Sequence, residues 1–257
     1  MFSRIDRFRA VDSTQRVVRG WLDAGTPEVA VAVAAYQTAG RGRQGREWTA
    51  PEGAGLLLSI GFRPADLAAR HAWRLAATAT LAMRDAAEEA AGLKDATLWL
   101  KWPNDIVAEG PRSALLKVGG VLGESVTVGD RVESAVVGLG VNSDWNAADF
   151  PWALAGAMTS LRELAGRRPI DNEQLLEAFL ARLEPRYEAL RAGLFDAGGW
   201  STAQRTTGRR VVVQVADETI GGQATGVDPE SGALLLRGDD GTTRSIESGE
   251  VVRCRVM

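Results

Sequence analysis

Two apolar runs joined by a long segment place the strongest constraint on the fold. Residues 29–36 and 55–62 are apolar over the length of a strand, and each predicts a buried β-strand. Pairing them gives an antiparallel hairpin whose connection covers roughly residues 38–54. Connections of that length inside a compact domain are usually functional or disordered. The pattern therefore predicts a sheet with a long loop at one edge, and this loop is the first candidate for function.

The start of the connection has an unusual composition. Residues 37–48, QTAGRGRQGREW, contain three arginines and three glycines and end at Trp48. Glycine lets the backbone adopt positive φ and approach a ligand closely, and arginine binds carboxylates and phosphates or stacks on flat rings. The pattern is typical of a mobile loop that closes over an anionic small molecule. A solvated basic loop, or a patch that binds nucleic acid, is the alternative.

The charge balance of the whole chain weakens that alternative. The 257 residues carry a net charge of −3, whereas nucleic-acid-binding domains usually present a basic face. The single cysteine, Cys254, excludes a disulfide framework and a cysteine metal cluster, and the single histidine, His71, almost excludes Ser-His-Asp chemistry. The sequence has no run of 18 apolar residues and no apolar signal sequence at its start. We therefore expect no membrane partner and a cytoplasmic location.

The rest of the chain divides into a large part with helices and strands and a small all-β part. The large part has one helix capped near Ser13 and ended by Gly25, a second over 67–92, a short one between Ser160 and Gly166, and one that opens at Asp171 and has an apolar face up to Leu190. Further strands are predicted over 97–102, 115–124 and 133–142, with a turn at 104–105. We expect Pro185 to kink or split the last helix. After residue 206, short strands separated by turn residues predict a β barrel of roughly 50 residues. The predicted domains are residues 1–205 and 206–257.

Two of the predicted strands carry glycines where a strand normally has side chains. Lys117 is followed by Gly119 and Gly120, and the strand over 133–142 contains Gly138. Glycine within a strand often marks the close approach of a ligand or of another backbone. Neighbouring strands that both lack side chains predict a flat floor for a ligand beside Lys117. The alternatives are an edge-strand lysine with its ammonium in water, and glycines needed only for packing.

Four motifs, in this order along the chain, resemble those of the biotin protein ligases. Residues 40–48 match that family's Gly-Arg-Gly-Arg-x-Gly-Arg-x-Trp loop, and residues 101–105 match its Lys-Trp-Pro-Asn-Asp motif. Residues 117–124 are similar to its Lys-x-x-Gly-Ile-Leu-x-Glu strand, with Val121 for isoleucine, and residues 138–142 match its Gly-x-Gly-x-Asn strand. The resemblance covers nearly the whole chain. It implies an α+β fold, in which a class II synthetase-like catalytic domain with a mixed, largely antiparallel sheet and helices on one face precedes an SH3-like β barrel.

The resemblance implies ATP-dependent attachment of biotin to a protein. Such enzymes, the biotin–[acetyl-CoA-carboxylase] ligases, form biotinyl-5′-AMP from biotin and ATP, with Mg²⁺ accompanying the nucleotide. They then transfer biotin to a lysine of a biotin carboxyl carrier domain. This chemistry depends on positioning and on charge stabilisation more than on a nucleophile or a general acid. It therefore suits a chain with one histidine and one cysteine.

The resemblance also implies roles for individual residues. Lys117 is implied as the central catalytic residue, placed between the biotin carboxylate and the α-phosphate. These two anions repel each other by roughly 4 kcal/mol at an effective dielectric constant near 20. Arg43 is implied as the second catalytic residue. The implied biotin-binding residues are Ser13, Thr14, Gln37, Gly40, Arg41, Lys117, Gly119, Gly120 and Gly138. The implied ATP-binding residues are Arg43, Arg46, Trp48, Asn104, Asp105 and Asn142, and Asp105 is also the predicted Mg²⁺ ligand. The family commonly has asparagine where this chain has Gln15, so the role of Gln15 is open.

The sequence leaves several different functions open. Lipoate-protein ligases and octanoyltransferases share the fold, but a transferase needs a cysteine nucleophile, and Cys254 is predicted in the last strand of the barrel. A non-enzymatic nucleic-acid-binding protein and a biotin sensor without turnover are two more possibilities. The motifs begin by residue 12, which leaves no room for an N-terminal winged helix-turn-helix and predicts that the protein does not bind DNA. We expect a monomer or a weak homodimer.

Overall fold

The chain folds around two β-sheets, with seven strands in the larger sheet and five in the smaller one. The computed structural model describes residues 1–255, so the last two residues of the predicted domain 206–257 lie outside the described part. The strands of the larger sheet are β1 (Arg4–Val11), β2 (Ala30–Gln37), β3 (Leu56–Phe62), β4 (Leu98–Lys101), β5 (Asp105–Glu109), β6 (Leu115–Val128) and β7 (Arg131–Val141). The smaller sheet contains β8 (Arg210–Val215), β9 (Glu218–Val227), β10 (Leu234–Arg237), β11 (Thr243–Ile246) and β12 (Glu250–Arg255). The α-helices are α1 (Thr14–Asp23), α2 (Trp73–Ala90), α3 (Leu161–Leu164), α4 (Asn172–Arg191) and α5 (Ala197–Thr202). Within the described part of the chain, no helix combines the length and the apolar character that crossing a bilayer requires.

The larger sheet is mixed but largely antiparallel, as predicted. Its strand order is β1-β2-β3-β7-β6-β5-β4, and β1 pairs with β2 in parallel while the remaining neighbours are antiparallel. β2 and β3 form the hairpin expected from the two apolar runs, and β3 is buried along its whole length. β1 has no counterpart among the predicted strands, because its sequence, RIDRFRAV, is charged along the exposed side of an edge strand.

Helices cover both faces of this sheet, which corrects the prediction that they lie on one face. Successive strand residues point to opposite faces. α2 and α4 pack against each other and share a core with Leu58 and Ile60 of β3. On the opposite face, Val18 and Leu22 of α1 occupy the space above Gly61, where a Cβ atom would lie 2.8 Å from Val18 Cγ1. Because α1 is short, it covers only part of this face, and the rest borders a cavity.

α4 runs without interruption through Pro185, although the sequence predicted a kink or a split there. Proline in a helix interior costs about 3 kcal/mol because it removes a backbone hydrogen bond and crowds the preceding turn. Phe179 and Leu183 before it and Tyr187 after it are all buried. Burial of one large apolar side chain contributes about 1.5–3 kcal/mol, so packing against α2 outweighs the local cost.

Tyr187 makes the stability of the fold sensitive to alkaline pH. Its ring lies against Phe62, with ring centroids 4.8 Å apart, and its hydroxyl donates a hydrogen bond to the Glu28 carboxylate. Burial, followed by this hydrogen bond, raises the pKa of Tyr187 far above its usual range. The pKa of tyrosine in the unfolded chain is about 10. Because the pKa of Tyr187 is higher in the folded state, its contribution to the free energy of unfolding is complete below about pH 10 and is lost as the pH rises further.

We expect Tyr187→Phe to flatten the loss of stability between about pH 9.5 and 11.5, because this loss begins near the unfolded pKa of about 10 and phenylalanine does not ionise. Urea unfolding at a series of pH values measures the free energy of unfolding for the wild-type chain and the variant. The matched control is Tyr36→Phe, since Tyr36 is the other tyrosine of the chain and is 39% exposed. Equal flattening in both variants would contradict the assignment to Tyr187.

The smaller sheet confirms the all-β character predicted after residue 206. Its strand order is β11-β10-β9-β8-β12, with antiparallel pairing throughout, and its buried valines and leucines join the core of the larger sheet. Trp102, directly after β4, connects the two sheets. Its backbone N–H donates to Thr206 Oγ1 (3.0 Å) and its indole N–H donates to the carbonyl of Gly232 (3.0 Å). The first residues of β12, Glu250 and Val251, lie in the wall of the cavity beside the larger sheet.

Candidate active site

A cavity of about 290 Å³ lies on the face of the larger sheet that α1 leaves partly open. Its walls come from the start of α1, from β3, β6 and β7, from the β4–β5 hairpin, from the start of β12 and from residues 40–48, called the arginine loop below. Most residues predicted from the sequence line it: Ser13, Thr14, Gln37, Arg41, Arg43, Arg46, Trp48, Asn104, Asp105, Lys117, Gly120, Gly138 and Asn142. The fold therefore brings together side chains that are up to 129 positions apart between Ser13 and Asn142.

One end of the cavity offers uncharged hydrogen-bonding groups. The backbone N–H of Thr14 donates to Gln37 Oε1 at 2.7 Å, and the Thr14 hydroxyl lies 3.0 Å from the same oxygen and 2.8 Å from Ser59 Oγ. Ser13 and Thr14 are buried at the start of α1. Because Gln37 uses its oxygen for Thr14, its amide nitrogen is oriented away from that bond. This end suits a neutral ligand group that carries both donors and acceptors.

The other end of the cavity is strongly cationic. Lys117 Nζ lies 2.6 Å from Asp105 Oδ1, and Lys101 Nζ lies 3.9 Å from Asp105 Oδ2. Burial lowers the pKa of Arg43, and this effect is opposed by the nearby carboxylates of Glu250 and Asp105. Two ammonium groups and a half-buried guanidinium thus share two carboxylates. An anionic ligand would restore the balance of charge here.

The arginine loop is folded down over the cavity. The backbone N–H of Trp48 donates to the carbonyl of Gly40 (3.0 Å), and the backbones of Arg41 and Glu47 form an antiparallel β-bridge. The two ends of the loop are therefore held together. Arg41 also pairs with Glu124 of β6, with Nη1 and Oε1 3.2 Å apart. The loop is therefore attached to the larger sheet at its first arginine.

The same loop contacts the start of β12. Arg46 Nη1 lies 2.7 Å from Glu250 Oε1, and Arg43 Nη1 donates to the carbonyl of Gly249 at 3.2 Å. The predicted phosphate-binding arginines are thus already paired with acceptors from the smaller sheet. A phosphate that binds them would replace these acceptors.

Glycines of β6 and β7 line the cavity at Gly120, Gly138 and Gly140, and side chains of the protein itself cover Gly120 and Gly140. A Cβ atom at Gly140 would lie 2.6 Å from Trp48 Nε1. A Cβ atom at Gly120 would lie 3.1 Å from Lys117 Nζ and 3.2 Å from the Trp48 ring. Lys117 Nζ is 5.3 Å from the Trp48 ring centroid, close enough for a cation–π contact. The floor therefore positions Trp48 and Lys117 together.

Gly40 and Gly119 do not line the cavity in this structure. A Cβ atom at Gly40 would overlap the carbonyl oxygen of Trp48, and one at Gly119 would lie 2.9 Å from the carbonyl oxygen of Gly140. In both cases the missing side chain allows two backbone segments to approach each other. Packing therefore explains both glycines, and Gly119 does not contribute to a ligand floor in this structure.

The two predicted asparagines support the backbone around the site. Asn104 Nδ2 donates to the carbonyl of Val121 (2.7 Å), and Asn142 Nδ2 donates to the carbonyl of Thr159 (3.1 Å). Asp105 opens β5 and does not lie in a turn, which corrects the sequence prediction. In the antiparallel register it faces Lys101 of β4 and Gly120 of β6, and this pairing directs its carboxylate between the two lysines.

The cavity provides a weak protein cage for a metal ion. Among residues 1–255, no three His, Cys, Asp or Glu side chains come close enough together to hold one. Asp105, the predicted Mg²⁺ ligand, is engaged by Lys117. Mg²⁺ at nucleotide sites is usually bound through one or two carboxylates and the substrate phosphates, and Asp105 is the carboxylate that the sequence predicts for it.

Several lining residues were not among the predicted site residues. They include Gln15, Ser59, Lys101, Glu250 and Val251. Gln15 is 4% exposed, and its Nε2 has no hydrogen-bond partner within residues 1–255. Its Oε1 would lie 2.6 Å from a Cβ atom at Gly138, so the Gln15 amide fills the space that this glycine leaves. Lys101 could have been found, because it is the first residue of the matched motif 101–105.

Two family models match the chain. The model of the biotin/lipoate A/B protein ligase family matches residues 8–142, and the model of the biotin protein ligase C terminal domain matches residues 206–253. The first match contains all four sequence motifs, and the second covers nearly the whole smaller sheet.

Individual proteins are similar over most of the chain. The bifunctional ligase/repressor BirA of Bacillus subtilis (strain 168) is 33% identical over 233 residues, which are 90% of this chain and 68% of that protein. The biotin--[acetyl-CoA-carboxylase] ligase of Paracoccus denitrificans is 35% identical over 230 residues, covering 86% of this chain and 89% of that protein. The solved structure of the biotin protein ligase from Aquifex aeolicus in complex with biotin and ATP has a TM-score of 0.79 and 27% identity over 100% of both chains.

Proposed function

The chain belongs to the biotin/lipoate A/B protein ligase family, and on that premise we infer that it is an ATP-dependent biotin protein ligase. The observation that carries this inference is the cavity with two unlike ends. Biotin has an uncharged ureido ring at one end and a carboxylate at the other. The neutral groups around Thr14 suit the ring, and the cations around Asp105 suit a carboxylate next to a triphosphate.

Adenylation makes the unreactive carboxylate an acyl donor. A carboxylate oxygen of biotin attacks the α-phosphorus of ATP, the bond from that phosphorus to the bridging oxygen breaks, and pyrophosphate leaves with the electron pair. The amine of an acceptor lysine then attacks the acyl carbon of biotinyl-5′-AMP, and AMP leaves while the amine loses a proton. The first step brings two negative groups together, and the second develops an oxyanion on the acyl group, so orientation and charge stabilisation contribute most of the catalysis.

Lys117 is the residue we assign to the meeting point of the two substrates. Its side chain is 36% exposed and lines the cationic end of the cavity, where Asp105 holds the ammonium in place. Arg43 is assigned beside it, where its half-buried guanidinium would bind carboxylate or phosphate. Ser13, Thr14, Gln37, Gly138 and Arg41 are assigned to biotin, and Arg46, Trp48, Asn104, Asp105 and Asn142 to ATP.

A cysteine-dependent acyl transferase has no supporting observation in the structure. Cys254 lies in β12 and is absent from the lining of the cavity among the residues that the structure describes. Burial raises the pKa of its thiol, and a raised pKa disfavours the thiolate that a transferase nucleophile requires.

The remaining assignments follow from the ligase reaction. The protein partner is a biotin carboxyl carrier domain, whose lysine must reach the cavity after adenylation. Mg²⁺ accompanies ATP, and Asp105 is its proposed single carboxylate ligand. The division into a catalytic domain, residues 1–205, and a C-terminal barrel domain, residues 206–257, is proposed because the C-terminal family model begins at residue 206. A cytoplasmic location, the lack of DNA binding and the monomer or weak homodimer stay predictions.

Incubation of the protein with biotin, ATP, Mg²⁺ and a purified carrier domain tests the function. We expect covalent biotin on one carrier lysine, detected by the added mass in intact and digested carrier. Lipoate or octanoate in place of biotin distinguishes the related activities. Biotin-dependent exchange of labelled pyrophosphate into ATP reports the first step alone. Exchange without transfer would identify a wrong carrier, and binding of biotin with neither activity would identify a sensor.

We expect Thr14→Val to weaken biotin binding while leaving ATP binding nearly unchanged. The substitution removes the hydroxyl between Gln37 and Ser59, and loss of one such buried hydrogen bond corresponds to about a 10-fold rise in the KM for biotin. Steady-state exchange kinetics with biotin and ATP varied in turn measure both KM values. The matched control is Thr207→Val, at an exposed position. A larger change in the KM for ATP than in that for biotin would contradict the assignment of this end of the cavity.

A further inference from the structure

We propose that residues 151–157, PWALAGA, called the apolar segment below, form the surface on which the acceptor protein docks while its lysine enters the cavity. This inference rests on the proposed ligase function. It goes beyond the choice of a carrier domain as partner, because it states where on the chain that partner binds. It also identifies Trp152 as the side chain that contributes most to the binding.

The apolar segment is exposed along its whole length, although it contains no charged or polar side chain. Trp152 is 94% exposed, more than any other large hydrophobic residue within residues 1–255, and Leu154 is 51% exposed. The N–H of Leu154 donates to the carbonyl of Pro151 (2.8 Å), and the resulting turn places Trp152 at its tip. Exposed apolar runs of this length are unfavourable in water unless they have a function. Apolar patches that stay exposed often mark sites of contact with another protein.

Contacts at both ends hold the apolar segment in this exposed position. Before it, Phe150 packs edge-on against the buried Trp145, with ring centroids 5.5 Å apart. After it, Met158 is buried and forms a parallel β-bridge with Lys117 of β6. The carbonyl of Ala157 accepts the backbone N–H of Lys117 at 2.9 Å. Because both ends are fixed, the segment loses little conformational entropy when a partner covers it.

The position of the apolar segment indicates which partner covers it. Leu154 and Ala157 line the cavity and are also exposed, so a protein bound to the segment stands at the entrance of the cavity. The transfer step requires a second protein to bring a lysine to the acyl group beside Lys117. A lysine ammonium is carried on a stem of only four carbons, so the surface around the acceptor lysine must come against the entrance. The acceptor is therefore the macromolecule that the reaction itself brings to this place.

The neighbourhood of the apolar segment suits a partner that presents a lysine. Asp149, two residues before the segment, is exposed and adds a negative charge beside it. A charge at the rim of an interface mainly guides the approach of an oppositely charged partner. Tryptophan at the centre of an interface, by contrast, often contributes a large part of the affinity. We therefore assign the approach of the acceptor to Asp149 and most of its affinity to Trp152.

The test separates docking from chemistry in Trp152→Ser. With synthetic biotinyl-5′-AMP as the acyl donor, we expect the KM for the carrier domain to rise by about 30-fold. The KM values for biotin and ATP in pyrophosphate exchange should stay within about twofold of wild type, because exchange involves no acceptor. Hydroxylamine, a small amine that needs no docking surface, should cleave enzyme-bound biotinyl-5′-AMP at the wild-type rate in a single turnover.

Two further variants complete the comparison. Trp152→Phe should recover part of the affinity for the carrier, because it restores an aromatic surface. Leu194→Ser is the matched control, since Leu194 follows α4 and is 69% exposed, and it should leave the KM for the carrier unchanged. Only three lysines, Lys94, Lys101 and Lys117, occur in the chain. Biotin on the carrier is therefore easily distinguished from biotin on the enzyme by mass spectrometry of the digested proteins.

Four results would overturn the proposal. A wild-type KM for the carrier in Trp152→Ser would remove the apolar segment from the docking surface. An equal rise in the KM for ATP would show that the segment covers the nucleotide, and an equal loss with hydroxylamine would show an effect on chemistry. A wild-type dimer that Trp152→Ser dissociates in sedimentation, with the KM for the carrier unchanged, would assign the segment to a contact between two copies of the chain. If the wild-type chain shows neither exchange nor transfer, the ligase function itself fails, whereas the other results leave that function intact.

Discussion

Lys117→Ala is expected to lower the rate of biotinyl-5′-AMP formation by about 1,000-fold, at the upper end of what loss of one transition-state charge contact causes. Without Lys117 the biotin carboxylate and the α-phosphate approach each other with no ammonium between them. The carboxylate of Asp105 would also lose its partner at 2.6 Å and add a negative charge to the same end of the cavity. Biotin-dependent pyrophosphate exchange under saturating substrates measures the effect directly.

The fold should survive this substitution. The Lys117 side chain is 36% exposed, and its backbone N–H and carbonyl keep their bonds to Ala157 and Thr159. Thermal unfolding within a few degrees of wild type would verify this. Lys94→Ala provides the control for removal of a lysine from the surface. Exchange by Lys117→Ala at more than about a tenth of the wild-type rate would remove Lys117 from the central role.

Gly140→Val is expected to raise the KM for ATP by about 100-fold, because it displaces the aromatic surface proposed for adenine. A Cβ atom at residue 140 would lie 2.6 Å from Trp48 Nε1, so the indole must leave the floor. The strand itself can accept valine, since β-branched residues are favoured in sheets. ATP titration in the exchange reaction, together with calorimetric binding of ATP, measures the change.

A double-mutant cycle shows whether the effect passes through Trp48. If it does, Gly140→Val combined with Trp48→Ala should be no worse than Trp48→Ala alone. Gly221→Val is the matched control, because Gly221 is also a strand glycine and a Cβ atom there would have its nearest neighbour at 4.0 Å. Additive losses in the double mutant would show that Gly140 acts independently of Trp48.

Residues that carry chemistry were the easier part to predict from the sequence. Lys117 and the glycines that follow it were recognisable because glycine weakens a strand, so two glycines in one strand indicate a specific role. The arginine loop was recognisable because its composition serves neither a core nor an ordinary turn. The structure brings these segments to one cavity through the order β3-β7-β6-β5 in the larger sheet.

The parts that the sequence did not predict depend on contacts between distant segments. Gly119 and Gly120 are adjacent and have the same composition signal, yet only Gly120 lines the cavity, because neighbouring residues face opposite sides of the strand. The face that α1 covers is set by the space above Gly61. The pairing of Arg46 with Glu250 joins positions 204 residues apart, and no local pattern indicates it. Pro185 lies within the uninterrupted helix α4, where packing against α2 outweighs the tendency of proline to break a helix.

The scarcity of lysine has a consequence for the fate of the activated intermediate. Biotinyl-5′-AMP acylates amines, so an intermediate that escapes before transfer can label any accessible lysine that it meets. On this chain positive charge is carried almost entirely by guanidinium groups, which stay protonated and are poor nucleophiles. Two of the three lysines share the carboxylate of Asp105, and Lys94 alone stands on the outer surface. We therefore expect the enzyme to be a poor acceptor of its own product, which leaves biotin for the carrier protein.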